Sequence, residues 1–250
     1  MISILLHGCS GRMGRLFTAL AEEDPRFSVI AGVDVNASSD NAYPVYTVLQ
    51  DVKKAADIVV DFSTAGAIPA LLSYCLEKKL PLLSGTTGLS DDIQQKFKEA
   101  SSEIPLFWTS NLSLGISLLT ELSKRAAAIL APAGFDIEIN ERHHNKKIDA
   151  PSGTALSIGQ AVAEELGDPY HLTLDRSAER RQRDPHEIGI SAIRGGTIIG
   201  EHTVLFAGPD ELLEIKHTAL SREILVRGAL NAAAFLAHQK PGLYTMKDLL

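Results

Sequence analysis

The short run "ISILLH" (Ile2 to His7) leads directly into three glycines, Gly8, Gly11 and Gly14, and then into "RMGRLFTALAEED". In that segment Met13, Leu16, Phe17 and Leu20 recur at helical spacing. A buried strand, a glycine turn and an amphipathic helix in immediate succession make the first half of a β-α-β unit. The pattern then repeats. "SVIAGVD", "DIVVDFS", "PLLSGTTG" and "IPLFWTSN" read as further short apolar strands. A helix over roughly 65–78 and a polar helix in "DDIQQKFKEAS" lie between them. Strands apolar on both faces belong in a parallel sheet covered by helices on both sides. Residues 1–110 therefore predict a doubly wound α/β domain.

The pattern changes near residue 112, with no flexible linker. "LSLGISLLTELSKRAAAILA" has the period of a long helix, and "FDIEINERHH" alternates as a half-exposed strand does. "TALSIGQAVAEELG" reads as a helix behind a loop. "HLTLDRSAERRQRDPHE" is charged and has no sustained period, which predicts a largely exposed loop. "IGISAIRGG", "TIIGEHTVLFAG" and "ELLEIKHTA" read as three strands joined by Gly-Gly and "GPDE", an antiparallel meander. A closing helix, "SREILVRGALNAAAFLAHQ", and a short tail follow.

The glycine loop has the logic of dinucleotide binding. Glycines let backbone N–H groups approach a pyrophosphate, and the helix N-terminus faces it with partial positive charge. The spacing is G-x-x-G-x-x-G and not G-x-G-x-x-G, so a tight strand–helix turn would explain the glycines alone. Asp34 strengthens the binding reading. It ends the second strand, where an acid accepts hydrogen bonds from the adenosine ribose. No basic residue lies between Asp34 and Val52 to meet a 2′-phosphate, which favours NADH; Arg12, in the glycine loop, leaves NADPH usable. "SGTTG" (Ser84 to Gly88) and "TSNLS" (Thr109 to Ser113) fall where strand C-termini gather around a ligand crevice, although turn chemistry alone accounts for each.

The chain carries a net charge of −7, which argues against nucleic acid as a partner and means that an anion site needs a local reversal of sign. "ERHHNKKIDAPSGTA" (Glu141 to Ala155) provides one. Adjacent histidines at a strand end point in opposite directions and no H-E-x-x-H motif is present, so a metal site is not expected. Ser152, Gly153 and Thr154 precede a helix and can present N–H and hydroxyl groups to an anion. Lysine suits a carboxylate or a developing negative charge, and histidine passes protons near neutrality. The stretch thus describes a site for a carboxylate substrate that must be protonated. The two cysteines, Cys9 and Cys75, sit in different predicted elements, which fits a reducing cytoplasm. The apolar start stops after Leu6, so neither a signal peptide nor a membrane span is expected.

Six stretches, "GCSGRMG", "SGTTG", "TSNLSLGI", "ERHHNKKIDAPSGTA", "IRGGTIIGEHTVLFAG" and "GLYTMKDLL", occur in order along the chain. Together they resemble the 4-hydroxy-tetrahydrodipicolinate reductases, formerly dihydrodipicolinate reductases, of lysine and diaminopimelate biosynthesis. The resemblance implies a Rossmann domain over 1–112 completed by 222–250. It also implies a second α+β domain over 113–221, with a mixed, largely antiparallel sheet that builds a homotetramer. It implies His143 as proton donor with Lys147 assisting, and His144, Gly153 and Thr154 on the carboxylates of a small dicarboxylate substrate. Arg222 matches a family arginine near the active site. Gly8, Cys9, Ser10, Gly11, Arg12, Met13, Asp34, Gly85, Thr86, Thr87, Ser110, Asn111 and Leu112 would line the cofactor. Cys9-Ser10 inside the glycine loop and the missing base after Asp34 depart from the family pattern. Two other readings stay open on the residues alone: another NAD(P)-dependent dehydrogenase, such as an aspartate or semialdehyde dehydrogenase, and a non-catalytic NAD(H)-binding protein.

Overall fold

The computed structural model describes residues 1–36, 41–174, 176–177 and 180–250. They form two compact units, Met1–Leu114 with Glu223–Leu250, and Gly115–Arg222. The first unit begins with β1 (Ile2–His7), α1 (Arg12–Glu22), β2 (Phe27–Val33), β3 (Val45–Tyr46) and β4 (Ile58–Asp61). It continues with α2 (Ile68–Lys78), β5 (Leu82–Ser84), α3 (Asp91–Ala100) and β6 (Pro105–Trp108). The second unit contains most of α4 (Leu114–Leu130), then β7 (Asp136–His143), α5 (Gly153–Leu166), β8 (His171–Leu174), β9 (Glu187–Arg194), β10 (Gly200–Ala207) and β11 (Leu212–Ala219). The chain then returns to the first unit with α6 (Glu223–Leu236) and β12 (Gly242–Tyr244). Among the described residues no helix is long and apolar enough to cross a membrane.

Successive side chains of a strand point to opposite faces, and the first unit fills both. Ile4, Leu6, Ile58, Val60, Leu83 and Phe107 pack with Phe17 of α1 and with Val226, Ala229 and Ala233 of α6. Leu5, Val59, Leu82 and Leu106 pack on the other side with Ile68, Leu71 and Phe97 of α2 and α3. Among the described residues the sheet order is β12-β6-β5-β4-β1-β2-β3, with every pair parallel. The predicted doubly wound domain is present. The "short tail" contributes an edge strand, with Leu243 opposite Leu106.

The second sheet has the order β11-β10-β7-β9-β8. It is mixed, but it does not contain the expected meander. β7 lies between β10 and β9, pairing antiparallel with β10 and parallel with β9. The pairings divide evenly between antiparallel (β10–β11, β10–β7) and parallel (β7–β9, β8–β9). Ile137, Ile139, Ile188, Ile190, Val204 and Phe206 bury one face against Ala155, Ile158 and Val162 of α5.

The expected exposed loop after α5 is also corrected where it is described. His171–Leu174 is strand β8. Arg183 is mostly covered and binds Asp136, Glu138 and the carbonyls of Ile137 and Glu187, and Arg176 pairs with the buried Glu187. Positions 175, 178 and 179 of that stretch lie outside the described residues.

One close approach in the first unit fixes where α6 can lie. A Cβ on Gly228 would stand 1.7 Å from the carbonyl oxygen of Leu112. Gly228→Ala must push backbone apart, an overpacking cost of about 1–3 kcal/mol. Urea unfolding should show a lower midpoint with an unchanged slope; an unchanged midpoint would show that the helix shifts freely.

Candidate active site

In the first unit the C-terminal ends of the parallel strands carry the predicted cofactor residues. Gly8 has φ +78, and a Cβ there would lie 2.7 Å from the backbone of Phe62, so only glycine fits. Gly11 caps α1 without a side-chain bond, and no acid enters the first turn. That helix N-terminus is therefore suited to an anion. Arg12 is exposed and Met13 partly so. Asp34 takes the backbone N–H of Ser10 at 3.0 Å on one oxygen and that of Asn36 at 3.0 Å on the other. Each oxygen keeps acceptor capacity for a hydroxyl. The Ser10 hydroxyl donates to the carbonyl of Asn36 at 2.8 Å, closing the loop on β2. These residues fit a dinucleotide.

Cys9 contributes backbone only. It is fully buried, with Sγ where a Gly32 side chain would stand. Burial pushes its thiol pKa up, as it does that of Cys75. Neither is an accessible thiolate, which removes the semialdehyde dehydrogenase chemistry.

Behind the loops lies a residue that the sequence reading missed. Asp61, fully buried at the end of β4, accepts bonds from His7 Nδ1 (2.8 Å), Ser63 N (3.1 Å), Ser84 Oγ (2.8 Å) and Thr86 Oγ1 (2.7 Å). Burial alone would raise its pKa, yet bonds from His7, Ser63 and Thr86 hold it below the usual range. It ties the end of β1 to the 84–86 turn, where Gly85 packs near Phe62 and Leu112. Thr86 is buried and Thr87 exposed. Ser110 is exposed, and Asn111 accepts the N–H of Ser113 at 2.9 Å.

In the second unit the apolar face of the sheet ends in polar residues. Glu141 continues the phase of Ile137 and Ile139 and is fully buried. It accepts Arg194 Nη1 (2.8 Å) and Nη2 (2.6 Å), the N–H of Ser152 (2.8 Å) and a bond from His143 Nδ1 (2.6 Å). Its pKa falls although burial opposes the change, because Arg194, His143 and Ser152 bind the anion. Ser152 caps α5, its hydroxyl accepting Ala155 N at 3.2 Å. Gly153 and Thr154 form the first turn of that helix. Lys147 Nζ lies 2.8 Å from Asp149 Oδ1. His144 and Arg222 line one cavity of about 270 Å³ with Asn145, Lys146, Gly196, Thr197 and Ile199. The fold thus brings Glu141, His143, Ser152 and Arg194 into contact, and joins His144 to Arg222. Among the described residues no group of three or more His, Cys, Asp or Glu is placed to hold a metal ion.

Glu141, Arg194 and His202 lie in stretches singled out in the sequence, but no individual role was assigned to them there. An acid in phase with two core isoleucines was the available signal for Glu141. His202, opposite Glu141 on β10, bonds Ser152 Oγ at 3.1 Å and meets the His143 ring edge-on at 5.3 Å. Burial, then repulsion from His143, pushes its pKa down to about 4. An unfolded histidine titrates near pH 6.5. The unfolded chain therefore binds the extra proton between the two values, and stability present above about 6.5 is lost as pH falls towards 4. His202→Gln should make that decline shallower in urea unfolding series. An identical slope would mean that His202 protonates freely in the fold.

Comparison with known proteins gives concordant matches. Two family models, "Dihydrodipicolinate reductase, N-terminus" and "Dihydrodipicolinate reductase, C-terminus", match residues 2–112 and 115–250. The 4-hydroxy-tetrahydrodipicolinate reductase of Caldanaerobacter subterraneus subsp. tengcongensis is 51% identical over 250 residues, covering 100% of this chain and 98% of that protein. That of Clostridium novyi is 41% identical with the same coverage. Among solved structures, a dipicolinate-bound dihydrodipicolinate reductase from Paenisporosarcina sp. TG-14 has a TM-score of 0.85 at 23% identity, with both chains covered in full. GenD2 from gentamicin A biosynthesis, in complex with NAD, has 0.64 at 14%, covering 99% of this chain and 90% of that one. The structural likenesses speak for the fold. With both family halves matched in order and relatives at 51% and 41% identity over its whole length, the chain belongs to the dihydrodipicolinate reductase family.

Proposed function

We propose that the protein reduces 4-hydroxy-tetrahydrodipicolinate to tetrahydrodipicolinate with NAD(P)H in lysine and diaminopimelate biosynthesis. The observation that carries this reading is the Glu141–Ala155 block, where a buried carboxylate fixes a histidine close to a helix N-terminus. Residues 1–112 with 222–250 take the cofactor, and 113–221 the substrate. Gly8 to Met13 and the start of α1 hold the pyrophosphate, and Asp34 holds the ribose. Gly85 to Thr87 and Ser110 to Leu112 complete the cofactor groove. NADH is preferred because the Asp34 carboxylate repels a 2′-phosphate; Arg12, exposed beside the loop, lets NADPH be used.

The bound reduced nicotinamide supplies a hydride for C4 of the substrate. His143 donates the accompanying proton. Lys147 assists, by protonation or by stabilising developing negative charge. His144, Gly153 and Thr154 grip the carboxylates, with Arg222 close by His144. A homotetramer belongs to this reading: Leu118, Leu122, Leu212 and Leu213 stay exposed in the single chain. The free, buried Cys9 and Cys75 accord with a reducing cytoplasm.

Oxidation of NADH and of NADPH, followed by absorbance with enzymatically generated substrate, tests the proposal. Turnover should occur with both, with a higher kcat/KM for NADH; a higher value for NADPH would overturn the preference. No turnover alongside micromolar NADH binding would point instead to a non-catalytic NAD(H)-binding protein. His143→Gln should lower kcat about 10²–10⁴-fold with NADH affinity little changed. An unchanged kcat would remove His143 from the donor role.

A further inference from the structure

The proton-donor reading names His143 but leaves open which ring nitrogen carries the mobile proton. An ionised carboxylate accepts hydrogen bonds and has no proton to donate. Glu141 is ionised: two Arg194 N–H groups and the Ser152 N–H converge on it in a buried position. Its Oε2 lies 2.6 Å from His143 Nδ1, so that nitrogen holds a proton whether the ring is neutral or charged. The nitrogen left to gain and lose a proton is Nε2. A Cβ on Gly200 would stand 3.0 Å from Nε2, so a glycine on the adjacent strand keeps that atom uncrowded. Arg194 is itself fixed, donating to the carbonyls of Asp149 (2.6 Å) and Ile193 (2.8 Å). It faces His143 in register across β7 and β9 and reaches diagonally to Glu141.

We infer that Glu141 is a positioning residue that fixes the tautomer and orientation of His143, so that Nε2 delivers the proton, while Arg194 holds Glu141 charged and in place. This rests on His143 being the donor. In the step, the Nε2–H bond breaks, its electron pair stays on the ring, and the proton goes to the substrate. The ring returns to the neutral Nδ1–H tautomer, still bonded to Glu141. Partners that orient a catalytic histidine work in this way in other enzymes, without touching the reacting atoms.

Kinetics of Glu141→Gln, His143→Gln and the double variant provide the test, with side-chain ¹⁵N spectra of His143 as a readout independent of activity. Glu141→Gln should lower kcat about 10–100-fold, leave NADH affinity unchanged, and add no further loss in the His143→Gln background. The neutral ring should be Nδ1–H in the unaltered protein and shift towards Nε2–H in Glu141→Gln. An equal fold-loss in both backgrounds, or an Nε2–H ring in the unaltered protein, would overturn the proposal. If Glu141→Gln fails to fold, Glu141→Asp keeps the charge for Arg194 but withdraws it from Nδ1, and its loss should likewise vanish without His143. Full activity of His143→Gln would remove the donor and this role together. A loss in His143→Gln without the expected coupling removes only the role of Glu141.

Discussion

Each unit is organised around a fully buried carboxylate, Asp61 in the first and Glu141 in the second. Burying such a charge costs several kcal/mol unless donors converge on it. Asp61 and Glu141 each receive four. The donors come from different segments, so satisfying the anion brings those segments together. In the first unit it draws in the end of β1 and the 84–86 turn. In the second it draws in β9, the strand-end histidine and the cap of α5. The geometry at these strand ends follows largely from this requirement.

The same requirement explains why the chemistry lies where apolar packing stops. On β7 the inward-facing residues run Ile137, Ile139, Glu141, His143, from dry core to a mostly covered imidazole. Cross-strand neighbours follow suit: Val204 lies opposite Ile139, and His202 opposite Glu141. The well-packed isoleucines hold the backbone rigid, and the polar residues inherit that rigidity two positions later. A site built in this way is more precise than one carried on a loop alone.

Much of the first unit was legible because its signals are local. Apolar strands such as "DIVVDFS" and the glycine turn after β1 declare themselves within a few residues. Strand partners are long-range and do not. β12 is three residues long, and only its pairing with β6 makes it a strand. Insertion of β7 between β10 and β9 depends on the crossover through α5, which no hairpin signal reports. The site was legible in kind at Glu141–Ala155. Its supporting residues were not: Arg194 is 53 positions from Glu141 in sequence, and a buried acid at a strand end looks in sequence like the start of a loop. Cys9 shows the converse, since a loop pattern does not say which side chains turn inward.

The return of α6 and β12 to the first sheet has a consequence for how the protein is made. Val226, Ala229 and Ala233 belong to the core that covers β1 and β4, yet they are synthesised after the whole of Gly115–Arg222. The second unit is contiguous in sequence and can close its core as soon as it has left the ribosome. Strand β1 must wait for α6, which follows the whole second unit in sequence. Until then the part of that face that α6 will cover, beside α1, is exposed apolar surface, the kind of surface that chaperones protect during synthesis.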